Sequence, residues 1–260
     1  MINVKALENL QSDTCGKSYT VMSSIDSTNN YVKKYAGILA DGHLVIAHEQ
    51  LSGRGRQGKS FYSPMGEGLY MSLLVKNPEQ STDELFTAKI SLAVCRAIDR
   101  ITNTDNNSGV GIKWVNDVYF GKKKLCGILC ERFKADDGNT YVVAGIGVNI
   151  KLSSGNVPKD LRSIVTSLYD ITKTEYDKFE LSALVCQEFE NVFRLDNDEV
   201  ISEYKKRSIV IGKEISIIRE EGNIRAAALD ICDDGSLLVR TEEGYTQKLC
   251  GGEISIKIKR

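Results

Sequence analysis

The chain has 260 residues, 42% of them hydrophobic and 27% charged, with a formal net charge of −1. That length suits one large unit and one small one, and the near-neutral charge excludes the global basic field of a general nucleic-acid binder. Seven scattered cysteines, an odd number, argue for reduced thiols, and with no basic-then-apolar leader and no apolar run near the length of a membrane span, a cytoplasmic protein is expected.

In chain order, residues 1–16 are polar, with room for a turn of helix. Val21 to Ile25 reads as a strand leading into Asp26-Ser27-Thr28-Asn29-Asn30. Ser27 or Thr28 is a fitting N-cap, since a hydroxyl accepts from the unpaired N–H groups of a first helical turn. The helix should carry Val32, Tyr35 and Ala36 inward and stop near Gly37. Its polar start either caps only or also offers N–H groups and hydroxyls to a ligand. Leu44 to Ala47 reads as a strand delivering Glu49, Gln50 and a glycine-rich stretch, and Leu69 to Val75 as a continuous apolar strand. Ser81-Thr82-Asp83-Glu84 has the capping-box pattern. Phe86, Ile90, Ala93, Val94, Ala97 and Ile101 then recur at helical spacing, which predicts a core helix to about Thr102 and a polar loop from Asn103 to Gly109.

Val110 to Asn149 reads as a β-meander. Lys113-Trp114-Val115-Asn116-Asp117 ends one strand in a polar turn, Gly121-Lys122-Lys123 signals a hairpin, and Asp136-Asp137-Gly138-Asn139 signals another. Cys126 and Cys130 read as small buried strand residues, without the partners a metal site needs. Gly145 and Gly147 alternate with branched apolar residues, which strips one strand face of side chains. That leaves either a flat floor for a ligand or close packing against a helix. A polar loop, Leu152 to Asp160, precedes a short helical turn near Thr166 to Tyr169. Leu181, Leu184, Val185, Phe189, Val192 and Phe193 mark an amphipathic helix, and a further helix covers about Asp198 to Lys206. Five short alternating runs follow: Ile215 to Ile218, Ile224 to Leu229, Leu237 to Arg240, Tyr245 to Leu249 and Ile254 to Ile258. Turns such as Glu220-Glu221-Gly222-Asn223 separate them, and the spacing reads as a small β-barrel.

The stretch Gly53-Arg54-Gly55-Arg56-Gln57-Gly58-Lys59 stands apart. Glycines permit close backbone approach, exposed N–H groups form an anion-holding concavity, and arginine adds a planar fork that matches phosphate or carboxylate. The spacing also fits a dinucleotide fingerprint, but that motif opens a helix, and Phe61 to Gly68 is too rich in breakers to do so. A kinase glycine loop would need companion motifs that are absent. A solvated basic loop without a ligand stays open on this segment alone.

Five features occur in one order: the Ser27-Thr28-Asn29 cluster, the glycine loop, the Lys113–Asp117 turn, the Lys124-Leu125-Cys126-Gly127-Ile128-Leu129 strand and Gly145-Ile146-Gly147-Val148-Asn149. Together they closely resemble the biotin–protein ligases, and Gly251-Gly252-Glu253-Ile254-Ser255 extends the likeness into the C-terminal runs. The resemblance implies an α+β fold. A mixed or antiparallel sheet flanked by helices, like the catalytic domain of class II aminoacyl-tRNA synthetases, should fill 1–207, with a small SH3-like β-barrel over 208–260. It looks like the short form, without a DNA-binding N-terminal domain. It implies ATP-dependent activation of biotin as biotinyl-5′-adenylate, with Mg2+, then transfer to one lysine of a biotin carboxyl carrier protein. Monomer or weak homodimer is expected, with no nucleic-acid or membrane partner.

By the same resemblance, Ser27, Thr28, Asn29, Gln50, Gly53, Gly55, Gly127, Leu129 and Gly145 hold biotin. Arg54, Arg56 and Lys124 touch biotin and nucleotide and, with Asp117, carry the chemistry. Lys59, Phe61, Lys113, Asn116 and Asn149 belong to the nucleotide side. No metal-ligating residue is expected. Three departures stand out: Val115 replaces the family's usual Pro, Phe61 a frequent Trp, and Lys59 a common Arg. Lipoate or octanoate ligases share the chemistry but lack this glycine–arginine loop and C-terminal pattern. An RNA-binding reading meets the acidic pairs Glu220-Glu221, Asp233-Asp234 and Glu242-Glu243. A silent scaffold meets a full set of matched polar positions.

Overall fold

The computed structural model describes residues 4–76, 83–104, 109–153, 155–219 and 222–256. In chain order the elements are α1 (Lys5–Glu8), β1 (Tyr19–Met22), α2 (Thr28–Tyr35), β2 (Leu44–Ala47), β3 (Gly68–Val75) and α3 (Phe86–Ile101). The meander follows as β4 (Val110–Lys113), β5 (Asp117–Phe120), β6 (Lys123–Lys134) and β7 (Thr140–Asn149). Then come α4 (Leu168–Thr172), α5 (Lys178–Phe193), α6 (Asn197–Arg207) and β8 (Glu214–Ile218). The last strands are β9 (Ile224–Ile231), β10 (Leu237–Thr241), β11 (Thr246–Leu249) and β12 (Glu253–Ile256).

Strands β1 to β7 form one mixed sheet in the order β1-β2-β3-β7-β6-β5-β4, with β1 and β2 parallel and every other pair antiparallel. Every residue of β3 is buried, because both faces of the sheet are covered at its centre. The two-residue period divides the strands cleanly. Leu44, Ile46, Leu69, Met71, Leu73, Ile146 and Val148 join α3 and α5 in one core, while Val45, Leu74 and Val143 join Val32 of α2 and Ala36 just after it in another. Phe86 of α3 meets Phe193 of α5 edge to face at 5.4 Å between centroids. Helices α3 and α5 therefore back the sheet, and α2 covers only part of the other face.

Strands β8 to β12 form an antiparallel sheet in the order β11-β10-β9-β8-β12, and among the described residues no pairing joins β11 to β12. Its apolar side chains, such as Ile215 and Val239, belong to the same core as α3 and α5. Two hydrogen bonds also join the parts: Trp114 Nε1 to the Gly235 carbonyl at 3.0 Å, and Ile209 N to the Ile112 carbonyl at 3.0 Å.

The first strand and the helix after the capping-box pattern differ from the sequence reading. The first strand is Tyr19–Met22 rather than Val21 to Ile25, because its register with β2 runs Tyr19–Leu44 to Met22–Ala47. Ile25 makes only an isolated bridge with Gln50. The helix after the capping-box pattern starts later, at Phe86, with Leu85 at its N-cap. Asp83 accepts from Leu85 N at 2.8 Å and pairs with Lys89 at 2.5 Å, while Ser81 and Thr82 lie outside the described residues. So do residues 105–108 of the polar loop, Glu220 and Glu221 of the acidic turn, and the last four residues, Ile258 among them.

Candidate active site

The parallel pairing of β1 and β2 sends both chains off the same end of the sheet. Beyond the strands, Leu51 N still donates to the Ile25 carbonyl at 2.8 Å. The Ser27–Asn29 cluster therefore arrives beside Gln50. Gln50 Oε1 accepts from Thr28 N at 3.0 Å and from Thr28 Oγ1 at 3.1 Å, and its Nε2 donates to Ser63 Oγ at 3.0 Å. Ser27 stands at the N-cap of α2 with extended backbone, but its hydroxyl makes no capping bond. Gln50 thus meets one of the helix's orphan donors from across the site. Ser72 Oγ lies 2.6 Å from both Thr28 Oγ1 and Asn29 Oδ1.

Cross-strand partners share a sheet face, so register identifies the floor. One row runs Ser72, Gly145, Leu129, and the next runs Tyr70, Gly147, Gly127, Asp117, Lys113. Three glycines in adjacent places leave backbone bare. A Cβ on Gly145 would collide with the Asn29 carboxamide, and one on Gly147 with the ring of Phe61. The floor is therefore covered in part by the chain itself.

Lys124 joins this face only through an irregularity. Residues 124 and 127 are an odd number apart, so a regular strand would point them to opposite faces. The register of β5 with β6 shifts between Val118 and Tyr119, pairing Val118 with Cys126 but Tyr119 with Lys124. The extra residue re-aims Lys124 toward the floor. Its Nζ lies 2.8 Å from Asp117 Oδ1. Its backbone is fixed as well: Lys124 N donates to the Ile164 carbonyl at 2.8 Å, and Thr166 N to the Lys124 carbonyl at 2.9 Å. Asn149 Nδ2 donates to the Thr166 carbonyl at 2.9 Å, so it supports Lys124 from behind.

The glycine stretch folds into a small hairpin over the floor. Arg54 bridges Ser60, Gly55 N donates to the Lys59 carbonyl at 2.7 Å, and Phe61 N to the Gly53 carbonyl at 2.8 Å. Its turn places Gln57 and Gly58 at φ 53° and 73°. Three side chains fasten it on three sides. Arg54 Nη1 donates to Asn30 Oδ1 at 2.9 Å and Nη2 lies 3.5 Å from Glu131 Oε1. Arg56 Nη1 donates to Asn116 Oδ1 at 3.2 Å. Lys59 Nζ lies 2.5 Å from Glu253 Oε2, on the edge of the second sheet. Asn116 in turn donates to the Ile128 carbonyl, and Tyr204 OH holds the Val115 carbonyl at 2.9 Å. The Trp114–Val115 peptide is cis.

Electrostatics on this face follow from burial. Burial pushes the Lys113 ammonium below its ordinary pKa, against the pull of Asp117 and Glu253. It pushes the Tyr119 phenol up to about 12, with Asp117 and Glu253 adding to the rise. For Glu131, burial alone would raise the carboxyl, but bonds from Lys33 and Asn29 and the charge of Arg54 outweigh it and hold it below the usual range.

The Ser27–Asn29 cluster, Gln50, the floor glycines, the hairpin, Lys113, Asp117 and Lys124 line one cavity of about 160 Å³. Every site residue expected from the sequence borders it except Gly53 and Asn149. Gly53 lies just outside, where a Cβ would strike the Phe61 carbonyl, and Asn149 is 5% exposed behind Lys124. Met71, Trp114, Gly147 and Gly252 to Ile254 also border the cavity, and Ser72 stands in its wall through Thr28 and Asn29. Ser72 was legible as the one polar residue in an apolar strand. The Gly252 to Ile254 edge had no local signal, because it arrives from a second sheet.

Comparison with known proteins gives consistent matches. The model described as the Biotin/lipoate A/B protein ligase family matches residues 21–149, and that of the Biotin protein ligase C terminal domain matches 210–257. The bifunctional ligase/repressor BirA of Bacillus spizizenii is 29% identical over 254 residues, covering 95% of this chain and 76% of that protein. The biotin–[acetyl-CoA-carboxylase] ligase of Mycobacterium tuberculosis is 28% identical over 243 residues, covering 90% of this chain and 87% of that one. Among solved structures, the Aquifex aeolicus biotin protein ligase in complex with biotin and ATP superposes with a TM-score of 0.78 at 28% identity, covering 94% of this chain and 100% of the other.

Proposed function

This chain belongs to the biotin–protein ligase family, and from that premise we propose that it activates biotin with ATP and transfers it to a lysine of a carrier domain. The observation that carries the reading is a glycine floor, shielded here by Asn29 and Phe61, under a hairpin bearing Arg54 and Arg56, with Lys124 and Asp117 paired at its side.

Biotin's ring would lie in the cavity against Thr28, Asn29 and Gln50. Its carboxylate must then meet the α-phosphate, and two anions approach only if cations offset their repulsion. Arg56, Lys113 and Lys124 all border the cavity. Burial already disfavours the charge on Lys113, so an arriving phosphate would favour it again. A carboxylate oxygen attacks the α-phosphorus, an O–P bond forms, and the bond to the pyrophosphate oxygen breaks. Fixed donors that face the spreading charge lower this barrier most. In the second step, the acceptor amine attacks the acyl carbon and the carbonyl oxygen becomes an oxyanion that Lys124 faces. AMP leaves, and Asp117, 24% exposed beside Lys124, can take the amine's proton. Phe61 covers Gly147 in this structure, so its ring must shift to stack on adenine.

The carboxylates at the cavity, Asp117 and Glu253, are each held by a lysine, and among the described residues no group of three His, Cys, Asp or Glu draws together. That donor set fits a magnesium ion held mainly by phosphate oxygens and water, with Glu253 and Asp117 as its nearest protein carboxylates. When bound, the ion would neutralise charge on the departing pyrophosphate.

We also place a domain division near residue 208, and a cytoplasmic setting suits a chain in which no described helix is long and apolar enough to cross a membrane. The test is pyrophosphate release that depends on biotin, followed by label on one lysine of an added carrier domain. Release driven equally by lipoate, or none with biotin, would refute the reading.

A further inference from the structure

We propose that Glu131 is a positioning residue that latches the hairpin shut by holding Arg54 against the wall of the site. The inference rests on the ligase reading above. Glu131 lies on β6 two residues beyond Leu129, and so on the floor side of the sheet. Its carboxylate gathers three partners: Lys33 Nζ at 2.5 Å, Asn29 Nδ2 at 2.9 Å and Arg54 Nη2 at 3.5 Å. The other arm of the Arg54 fork is taken by Asn30. Arg56, two residues on, reaches the opposite wall at Asn116. The two arginines therefore occupy different sides of the hairpin. One carboxylate orients Asn29, on which Gly145 packs, and also restrains the lid. Floor and lid are coupled through it. An isolated ion pair with Arg54 45% exposed would stabilise little. A pair that shares its carboxylate with a buried amide and a lysine is a network, whose members act together.

The experiment forms the adenylate on the full chain with biotin and labelled ATP, then measures its release by filtration, alongside pyrophosphate release in the first turnover. Glu131→Gln and Arg54→Gln are each expected to speed adenylate release by about fivefold, as for loss of a half-exposed ion pair. In Glu131→Gln the first-turnover rate should change far less. The double variant should be no faster than the faster single, because both remove one latch. Arg56→Gln combined with Glu131→Gln should multiply. Arg54 sits on an exposed hairpin, so its substitution leaves the fold intact. Release rates that multiply between Arg54→Gln and Glu131→Gln, or an Arg54→Gln variant that holds the adenylate as the parent does, would overturn the latch. A parent chain with no biotin-dependent pyrophosphate release would instead overturn the ligase reading itself.

Discussion

Gly145→Ala tests the floor directly. The added methyl would overlap the Asn29 carboxamide, which can move only by giving up its hydrogen bonds. Asn29 is 4% exposed. Its Oδ1 lies 2.6 Å from Ser72 Oγ, and its Nδ2 donates to the Leu129 carbonyl at 3.2 Å and to Glu131 at 2.9 Å. Two neutral hydrogen bonds at about 1 kcal/mol each and one charged bond at about 2 kcal/mol put the loss near 4 kcal/mol. For a chain of this size that corresponds to a fall in Tm of about 8–16 °C. The assay is a thermal melt of the ligand-free protein, with biotin-dependent pyrophosphate release measured well below the transition. Gly37→Ala is the control, since nothing lies within 4 Å of its added methyl. It should stay within about 0.5 kcal/mol of the parent. A Gly145→Ala protein melting within about 2 °C of the parent, with parental turnover, would refute the packing argument.

Lys124→Ala should lower adenylate formation by about 10²–10³ fold, as for loss of one preorganised donor, and quench-flow at saturating substrate measures it. A near-parental rate would remove Lys124 from the chemistry. Trp114→Phe removes the bond to the Gly235 carbonyl, a buried contact between the two sheets. It should cost about 1–3 kcal/mol in chemical denaturation, and an unchanged midpoint would mean that the sheets are held by packing alone. Acid should weaken the fold through His43, whose pKa burial holds below the ordinary 6.5. The unfolded chain then binds the proton more readily, so this stability is present above pH 6.5 and lost as pH falls through the lowered folded value. Denaturation midpoints at about pH 7.5 and about pH 5 should differ less in His43→Gln than in the parent, and equal differences would exclude His43.

Much of the scaffold was legible because it rests on neighbours in sequence. The helical spacing from Phe86 to Ile101 gave the end of α3 to within a residue, and the turns at Gly121 and Gly138 both take positive φ, as hairpin signals require. Leu44 to Ala47 is β2 to the residue. The start of α3 lies at Phe86, where Asp83 meets the Leu85 N–H. Most candidate site residues were named from motif order. Their geometry was not legible. Glu131 read as one more residue of a strand, although it joins the hairpin to α2. Asn149 read as a ligand contact, although it supports the segment that pins Lys124.

By itself the sequence determined which segments are helix or strand and where the chain turns. These follow from periods and backbone preferences that act over a few residues. Only the tertiary structure decided that β1 and β2 run parallel, which sets Gln50 beside Thr28. It alone decided that the shift in β6 turns Lys124 onto the glycine face, and that Glu253 arrives from another sheet to hold Lys59. Register and long-range pairing are settled by the best burial of the whole chain, and no local pattern of residues records that choice.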